Sequence, residues 1–294
     1  MGNESRTANQ TPEGIVVSVY KILLLGVILF FSIFFTCNIE AQCLPKKMPL
    51  NYGESVNYDI YFKWGILMPR AGSACISFDK SMYKGLEASK YQLLFRTTKF
   101  FDAIYKMRDT LDCFYDQNYA LLHSSKRVNE GGYYLVDDLT FSYSGNATKI
   151  RSHRYTPAVT KIDTVLTVSS GCVSDMLSST FFLRTLDWDN LKIGEKHSFT
   201  VAIGRHLVKI SFRYQGQSIV EHGDAKYRTH YFLIDIFDEA FERDESAAEL
   251  WVGDDENHIP VKIRAKLKIG YAEVYYKSSV NLKAPLKCRV EINR

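Results

Sequence analysis

The most regular chemical pattern in this chain is a row of four cations near its C-terminus. Lys262, Arg264, Lys266 and Lys268 alternate with Val261, Ile263, Ala265, Leu267 and Ile269. In a β-strand this alternation puts the cations on one face, about 6.6–7 Å apart in succession. Such a strip could contact anionic envelope material, such as lipid head groups or acidic glycans. The alternative is a solvated strand face whose cations pair with Glu249 or Glu273 on neighbouring strands.

Residue patterns that would indicate catalysis or metal binding are absent from the sequence. There is no G-x-S-x-G elbow and no H-E-x-x-H motif. Asp254, Asp255 and Glu256 lack the alternating ligands of an EF-hand loop, and they suit a polar hairpin turn better. His206 and His230 lie in predicted strands and could face each other. We therefore expect a non-enzymatic protein without a metal or cofactor, and a hydrolase acting on cell-wall or lipid material is the weaker alternative.

The N-terminus has the features of an export signal. Lys21 precedes an apolar run over 22–35, and the exit from this run ends at Ala41. That run is shorter than the roughly 20 residues needed to span a bilayer, and the arrangement is typical of a secretory signal. The sequence predicts a signal peptide and leader over 1–41, with cleavage after Ala41. An uncleaved anchor, or a lipid attached at Cys37 or Cys43, are the alternatives.

The remainder, 42–294, is predicted to form a single β-rich domain. Removing 1–41 takes away two basic and three acidic residues, which changes the net charge from +4 to +5. This mild, dispersed charge does not indicate nucleic-acid binding. Export permits disulfides, but the cysteines are widely spaced. Cys75 alternates with small residues, and we interpret it as a small buried side chain in preference to a bridge.

Alternation also predicts the secondary structure. Tyr58, Ile60, Phe62 and Trp64 share one face of a strand over 56–64, and a second strand over 71–78 completes a hairpin. About twelve such strands can be identified. One segment departs from this pattern: Asp175 suits an N-cap, and a helix is predicted over 175–186. We expect a mainly β fold, with one antiparallel, strongly curled sheet that forms an open or closed barrel around one short central helix.

The predicted barrel interior is rich in large apolar side chains. Its lining would be Tyr58, Ile60, Phe62, Trp64, Ile210, Phe212, Phe232, Ile234 and Ile236. If the barrel is wide or half open, this lining could hold a lipid or another apolar molecule. If the core closes on itself, the same residues only stabilise the fold.

Several residue groups, taken in order, resemble the exported bacterial family called domain of unknown function 3108. The groups are Tyr52-Gly53-Glu54, Trp64-Gly65 and Ala71-Gly72, then Asp175-Met176-Leu177-Ser178 with Arg184, then Leu250-Trp251, Asp254-Asp255 and Ile259-Pro260-Val261-Lys262. The likeness covers about 50–282. It implies a largely β protein of the Gram-negative envelope, in the periplasm or associated with the outer envelope, and it assigns no activity.

The hypotheses for function follow from these observations. The first is a non-enzymatic carrier or binder of an apolar or amphipathic ligand, with Trp64, Asp175, Arg184, Trp251 and Asp255 as the candidate ligand-binding residues. The second is a structural or interaction protein that contacts an envelope protein or glycan through the row of cations. Membrane contact is expected only through the signal segment or a lipid anchor. Arg184, at the predicted helix end, could pair with Asp109 or Asp175.

Overall fold

The first hairpin follows the alternation in the sequence. In this computed structural model, β1 (Glu54–Lys63) pairs antiparallel with β2 (Arg70–Tyr83), and Tyr58 is buried on the inner face. Asp59, on the opposite face, is ion-paired with Arg70 at 2.5 Å. The structure describes residues 48–63, 65–237, 244–267 and 270–290. The predicted signal over 1–41 and the candidate residues Trp64 and Lys268 lie outside these ranges.

The chain continues as one large sheet. Its further strands are β3 (Leu86–Thr97), β4 (Arg108–Tyr115), β5 (Leu121–Glu130), β6 (Tyr133–Ser144), β7 (Ala147–Tyr155), β8 (Thr160–Val168), β9 (Val173–Ser174), β10 (Lys196–Ile203), β11 (His206–His222), β12 (Ala225–Phe237), β13 (Asp244–Gly253), β14 (Pro260–Lys266), β15 (Tyr271–Val280) and β16 (Arg289–Val290). A twisted antiparallel sheet of this size curls on itself. The fold is mainly β and the sheet is nearly closed, as predicted, but the described residues form sixteen strands where the sequence indicated about twelve.

The two edges of the sheet are adjacent in the chain. The strand order runs from β8 through β1 and β15 to β9, and only residues 169–172 connect β8 to β9. We refer to this junction as the seam. The prediction of a purely antiparallel sheet is wrong, because β9 pairs parallel with β10 through Val173 and Ser174. A strand of two residues is too short to produce a recognisable alternation.

Within the described ranges, two α-helices and one 3₁₀-helix accompany the sheet. The first, α1 (Lys99–Asp102), connects β3 to β4, and the 3₁₀-helix covers Trp188–Asn190. The second, α2 (Met176–Leu183), confirms the predicted helix, and Asp175 forms its N-cap within a capping box with Ser178. It packs against β3, β4 and β10, so its predicted central position in the barrel is not clearly reproduced.

Because successive strands are antiparallel, alternate turns lie at opposite ends of the sheet. One end carries the turns at 65–69, 98–107, 131–132 and 156–159. The other end carries the turns at 84–85, 116–120 and 254–259, together with the start of β1. Among the described helices, none has both the length and the apolar character needed to cross a bilayer.

Candidate functional site: a cleft beside Trp188 and His258

The floor of the candidate site is a buried ion pair. Arg184 follows the last residue of α2, and its guanidinium donates to Glu54 Oε1 at 2.5 Å and Oε2 at 3.3 Å. A third hydrogen bond runs from Arg184 Nε to the Asn257 carbonyl at 2.9 Å. Burial alone would lower the pKa of Arg184, but the carboxylate of Glu54 holds it above its ordinary value. The sequence predicted Asp109 or Asp175 as the partner, and Glu54 takes that place.

One side of the site is the turn between β13 and β14. Asp255 Oδ1 accepts hydrogen bonds from the backbone and side-chain nitrogens of Asn257 at 3.0 and 3.3 Å. Its Oδ2 accepts from the backbone of Cys288 at 3.0 Å. Asn257 in turn binds the backbone of Ala284 through both of its amide atoms. The turn is therefore tied to the C-terminal segment, and it holds His258 at a φ of 47°.

The wall of the site is a stacked ring pair. The Trp188 ring lies parallel to the His258 ring, with centroids 4.4 Å apart and an interplanar angle of 9°. Trp188 Nε1 donates to the Arg184 carbonyl at 3.3 Å, which fixes the indole over the ion pair. Burial lowers the pKa of His258 to about 4, against the opposing effect of Asp255. The imidazole is therefore neutral at neutral pH.

Behind this wall, His230 connects a tyrosine to a carboxylate. Its Nδ1 lies 3.0 Å from the Tyr214 hydroxyl, and its Nε2 lies 3.0 Å from Asp254 Oδ1. His230 therefore does not face His206, contrary to the sequence-based suggestion. Burial raises the pKa of Tyr214, which works against its acting as a nucleophile. The chain of hydrogen bonds suits a role in positioning the turn at 254–258.

Beside the ring wall lies a cleft of about 270 Å³, lined mainly by residues 184–189 with Pro49, Glu256 and His258. Pro49, Leu186, Trp188 and His258 give it an apolar surface, and Asp187, Asp189 and Glu256 form an acidic rim. Its volume is near the lower end of ligand sites, which start at about 300 Å³. Two other hollows, beside Tyr52 and beside Asn57, have volumes of about 540 and 290 Å³ but are more open to solvent.

Side chains of the described residues fill the interior of the sheet. Phe181 of α2 is fully buried and stacks on Tyr115 at 4.7 Å, with Phe78 and Tyr91 within 6.0 Å. A small space of about 70 Å³ near Asp175, bordered by Lys126, Asp137 and Arg154, opens to solvent and is not an interior cavity. The alternative of a filled core therefore describes this interior better than a ligand cavity.

The candidate ligand-binding residues are dispersed. Arg184 lies under the cleft, and Asp255 supports the turn beside it. Asp175 caps α2 and accepts a hydrogen bond from the Cys113 thiol at 3.2 Å. Trp251 is on the outer face, stacked on Tyr231 at 4.9 Å. The sequence analysis missed Trp188 and His258 as site residues, although Glu54 was already part of the opening motif.

Two of the three described cations in the row, Lys262 and Arg264, have partners on the neighbouring strands. Arg264 binds Glu249 at 3.1 Å and Glu273 at 2.7 Å, as the alternative interpretation proposed. Lys262 lies over the rings of Trp251 and Tyr275, at 4.7 and 5.2 Å from their centroids. Lys266 is exposed. The side chain of Arg264 is therefore already neutralised.

In the described part of the chain, the oxidation state of four cysteines is defined. Cys75, Cys113 and Cys288 are free, and Cys172 is disulfide-bonded. Cys75 is therefore not bridged, as predicted, but it is half-buried and not buried. Within the described ranges, no group of three or more histidine, cysteine or acidic side chains is placed to hold a metal ion.

A family model matches residues 57–277, and its description is a protein of unknown function, DUF3108. The chain belongs to the DUF3108 family. The resemblance noted in the sequence is thereby confirmed, with the match covering β1 to most of β15. This family assignment agrees with the largely β fold but carries no activity.

Solved structures extend the comparison of the fold. A β-barrel-like protein of domain of unknown function DUF1849 from Brucella abortus aligns with a TM-score of 0.51 and 10% identity, covering 79% of this chain and 98% of that one. A candidate lipoprotein from Parabacteroides distasonis aligns with a TM-score of 0.32 and 7% identity, covering 79% and 97%. The similarity to the Brucella protein shows a shared fold. No curated protein matches the chain.

Proposed function

We propose that this DUF3108 protein is a non-enzymatic protein of the Gram-negative envelope that binds an amphipathic molecule in the cleft beside Trp188 and His258. The observation that carries the proposal is the parallel ring pair, which presents a fixed flat wall above a buried ion pair. A rigid apolar wall with a few placed polar groups is the usual form of a small-molecule site.

The charges around the cleft favour one class of amphipathic molecule. Arg184 is neutralised by Glu54, and His258 is neutral because burial lowers its pKa to about 4. The carboxylates of Asp187 and Asp189 at the rim then give the cleft a negative local charge, since Glu256 is ion-paired with Lys287 at 3.0 Å. A ligand with an apolar body and a cationic head group would complement this arrangement.

Export to the envelope is part of the same proposal. The apolar run over 22–35 after Lys21 supports it, because that pattern is typical of a secretory signal. The disulfide at Cys172 supports it independently, because disulfides persist in oxidising compartments. Detection of the protein in the periplasmic or membrane fraction of its own cells would test this part.

The cleft is tested by calorimetric titration with two probes of equal chain length, dodecylamine and dodecyl sulfate, below their micelle concentrations. We expect dodecylamine to bind with at least tenfold preference, and Trp188→Leu to abolish that binding. Lys80→Ala, in the hollow beside Tyr52, is the matched control and should leave it unchanged. Equal binding of both probes, or unchanged binding in Trp188→Leu, would reject the cleft as the site.

A structural or interaction role is the second candidate, and the filled interior favours it over a carrier that holds its ligand inside the barrel. A pull-down from envelope extract would compare the native protein with Lys262→Gln and Lys266→Glu. Arg264 is left intact because its removal would leave Glu249 and Glu273 unpaired. A partner lost with these two changes supports a contact through the outer face, and an unchanged partner rejects it.

A further inference from the structure

The end of the sheet opposite the cleft carries a concentration of exposed apolar side chains. Ile66 is 100% exposed, Ile104 70% and Phe100 69%. Further exposed side chains in or directly beside the turns at 65–69, 98–107, 131–132 and 156–159 are Leu67, Met68, Tyr105, Tyr133, Tyr134 and Val159. We refer to these nine residues as the apolar rim. None of them belongs to a described hydrophobic cluster, so the fold does not account for them.

The turns that carry the apolar rim contact one another in sequence around the sheet. Thr98 donates through its backbone nitrogen to the Ala71 carbonyl at 2.9 Å, which joins the start of β2, directly after the first turn, to the N-cap of α1. The backbone nitrogen of Gly131 donates to the Lys106 carbonyl at 2.8 Å, which joins the second turn to the third. Lys161, after the fourth turn, lies 5.5 Å from the Tyr133 ring centroid. The apolar rim is therefore one continuous surface, since each turn is held against the next.

Basic side chains accompany the apolar ones. The described residues 63, 65–70, 98–108, 130–134 and 156–161 contain six basic and two acidic residues. Arg70 and Arg108 are paired with Asp59 and Asp102. The remaining four cations, Lys63, Lys99, Lys106 and Lys161, are exposed and form no ion pair within the described parts of the chain. The apolar side chains therefore project from a surface of net positive charge.

We propose that the apolar rim is a membrane-docking surface for an anionic lipid bilayer. Ile66, Phe100 and Ile104 would enter the boundary between head groups and acyl chains, where exposed apolar side chains gain the most. The tyrosines suit the head-group level, where amphipathic rings concentrate. The lysines would meet lipid phosphates, and each such cation contributes about 1 kcal/mol near an anionic surface.

A bilayer fits this surface better than a second copy of the chain. The apolar residues are on or beside turns at one end of the antiparallel strands β1 to β8, so a plane can touch several of them at once. Two copies joined through this surface would place Lys63, Lys99 and Lys106 against the same lysines of the other copy. Like charges in one interface are unfavourable, whereas an anionic bilayer complements them.

This proposal is independent of the cleft. The cleft is formed by residues near the start of β1 and the turn at 254–259, which are at the other end of the sheet. When the protein is docked on a bilayer through the apolar rim, the cleft would therefore remain exposed to water. The proposal also adds to the membrane contact expected from the sequence, which was limited to the signal segment or a lipid anchor.

Hydrogen exchange of the protein as the cell produces it, with and without vesicles, tests the proposal. The vesicles contain phosphatidylglycerol and phosphatidylethanolamine, and phosphatidylcholine vesicles provide the neutral comparison. We expect at least tenfold slower exchange over 65–69 and 98–107 with anionic vesicles only, and no change over 84–85 and 116–120. Slowing at both ends, or at neither, would overturn the proposal even if the N-terminal segment holds the protein on the vesicles.

Matched variants complete the test. Ile66→Ser with Phe100→Ser and Ile104→Ser should remove the slowing, and Lys99→Glu with Lys106→Glu should reduce it about tenfold. Met82→Ser with Leu86→Ser changes two exposed apolar residues at the opposite end and should have no effect. Because all seven positions are outside the core clusters, unchanged thermal unfolding checks that each variant is folded. Slowing that persists in the triple variant, or that is instead produced by a protein from envelope extract, would reject lipid as the occupant.

Discussion

Arg184 and Glu54, which are 130 positions apart in the chain, form an ion pair that is almost completely shielded from solvent. The pair connects the end of α2 to the start of β1, and through Asn257 it also fixes the turn at 254–258. A buried ion pair contributes little net stability by itself, but the loss of one partner leaves an uncompensated charge in the interior. The pair therefore determines how these three segments are arranged.

The first prediction concerns this pair. Arg184→Met should lower the free energy of unfolding by about 3–5 kcal/mol, because Glu54 would remain buried without its cation. The double variant Arg184→Met with Glu54→Gln should recover a large part of that loss, because no charge is then left in the interior. Urea unfolding of the three proteins measures both effects. Equal losses in the single and double variants would show that packing, and not charge, is what the pair provides.

The second prediction concerns the filled interior. Phe181→Ala should cost about 3–5 kcal/mol of unfolding free energy, because the ring is fully buried against Tyr115. The cavity left behind is apolar, so benzene should bind to the variant and raise its melting temperature, as small apolar molecules do in engineered cavities. The native protein should show no such rise. A rise of equal size in the native protein would indicate that the interior already has room for a ligand.

The third prediction concerns pH. Burial lowers the pKa of His258 to about 4 in the folded protein, from an ordinary value of 6.5. Between these values the unfolded chain binds a proton that the folded protein does not, so stability is complete above pH 6.5 and falls as the pH drops toward 4. The loss should be about 2 kcal/mol once partial exposure is allowed for.

His258→Asn tests this contribution, because asparagine tolerates the positive φ at this position but does not titrate. Between pH 4 and 7, the unfolding free energy of the variant should depend less on pH than that of the native protein. Outside that window the two should have the same pH dependence. Parallel profiles for the native protein and the variant would contradict the assignment.

The fourth prediction concerns the C-terminal segment. Asp255 accepts a hydrogen bond from the backbone of Cys288, and burial followed by the Asp255 charge raises the pKa of that thiol. Asp255→Ala should release the segment and speed labelling of Cys288 by a thiol reagent by tenfold or more, because the thiolate is the reactive form. Cys113 is also buried but is far from this turn in the sequence, and its labelling rate serves as the internal control. Equal acceleration at both cysteines would instead indicate general unfolding.

Local features of this protein were predictable from the sequence, because they depend on neighbouring residues. The capping pattern at Asp175 located α2, and alternation placed Tyr58 on the inner face and Lys262 and Arg264 on the outer one. The sequence pattern over 206–214 predicts a strand that ends at Tyr214, whereas β11 continues to His222. The register shifts between Tyr214 and Gly216, and this bulge interrupts the alternation on which the prediction depended.

The site was less predictable, because it depends on contacts between distant parts of the chain. Spacing along the sequence cannot show that Glu54 meets Arg184, or that Trp188 stacks on His258. Both contacts are created by the curl of the sheet, which brings the start of β1 and the turn at 254–258 to the segment after α2. The parallel pairing of β9 could not be predicted from the sequence either, because a strand of two residues shows no periodic pattern.

The seam between β8 and β9 affects how proteins of this architecture can diverge. In a fully hydrogen-bonded barrel, strand number and stagger are locked together, so one added strand would change the registration of every other. Here the terminal strands are joined by 169–172 in the covalent chain. During divergence, either terminal strand could therefore be lengthened, shortened or replaced without changing the pairing of the other strands. Size variation among such proteins should concentrate at that boundary.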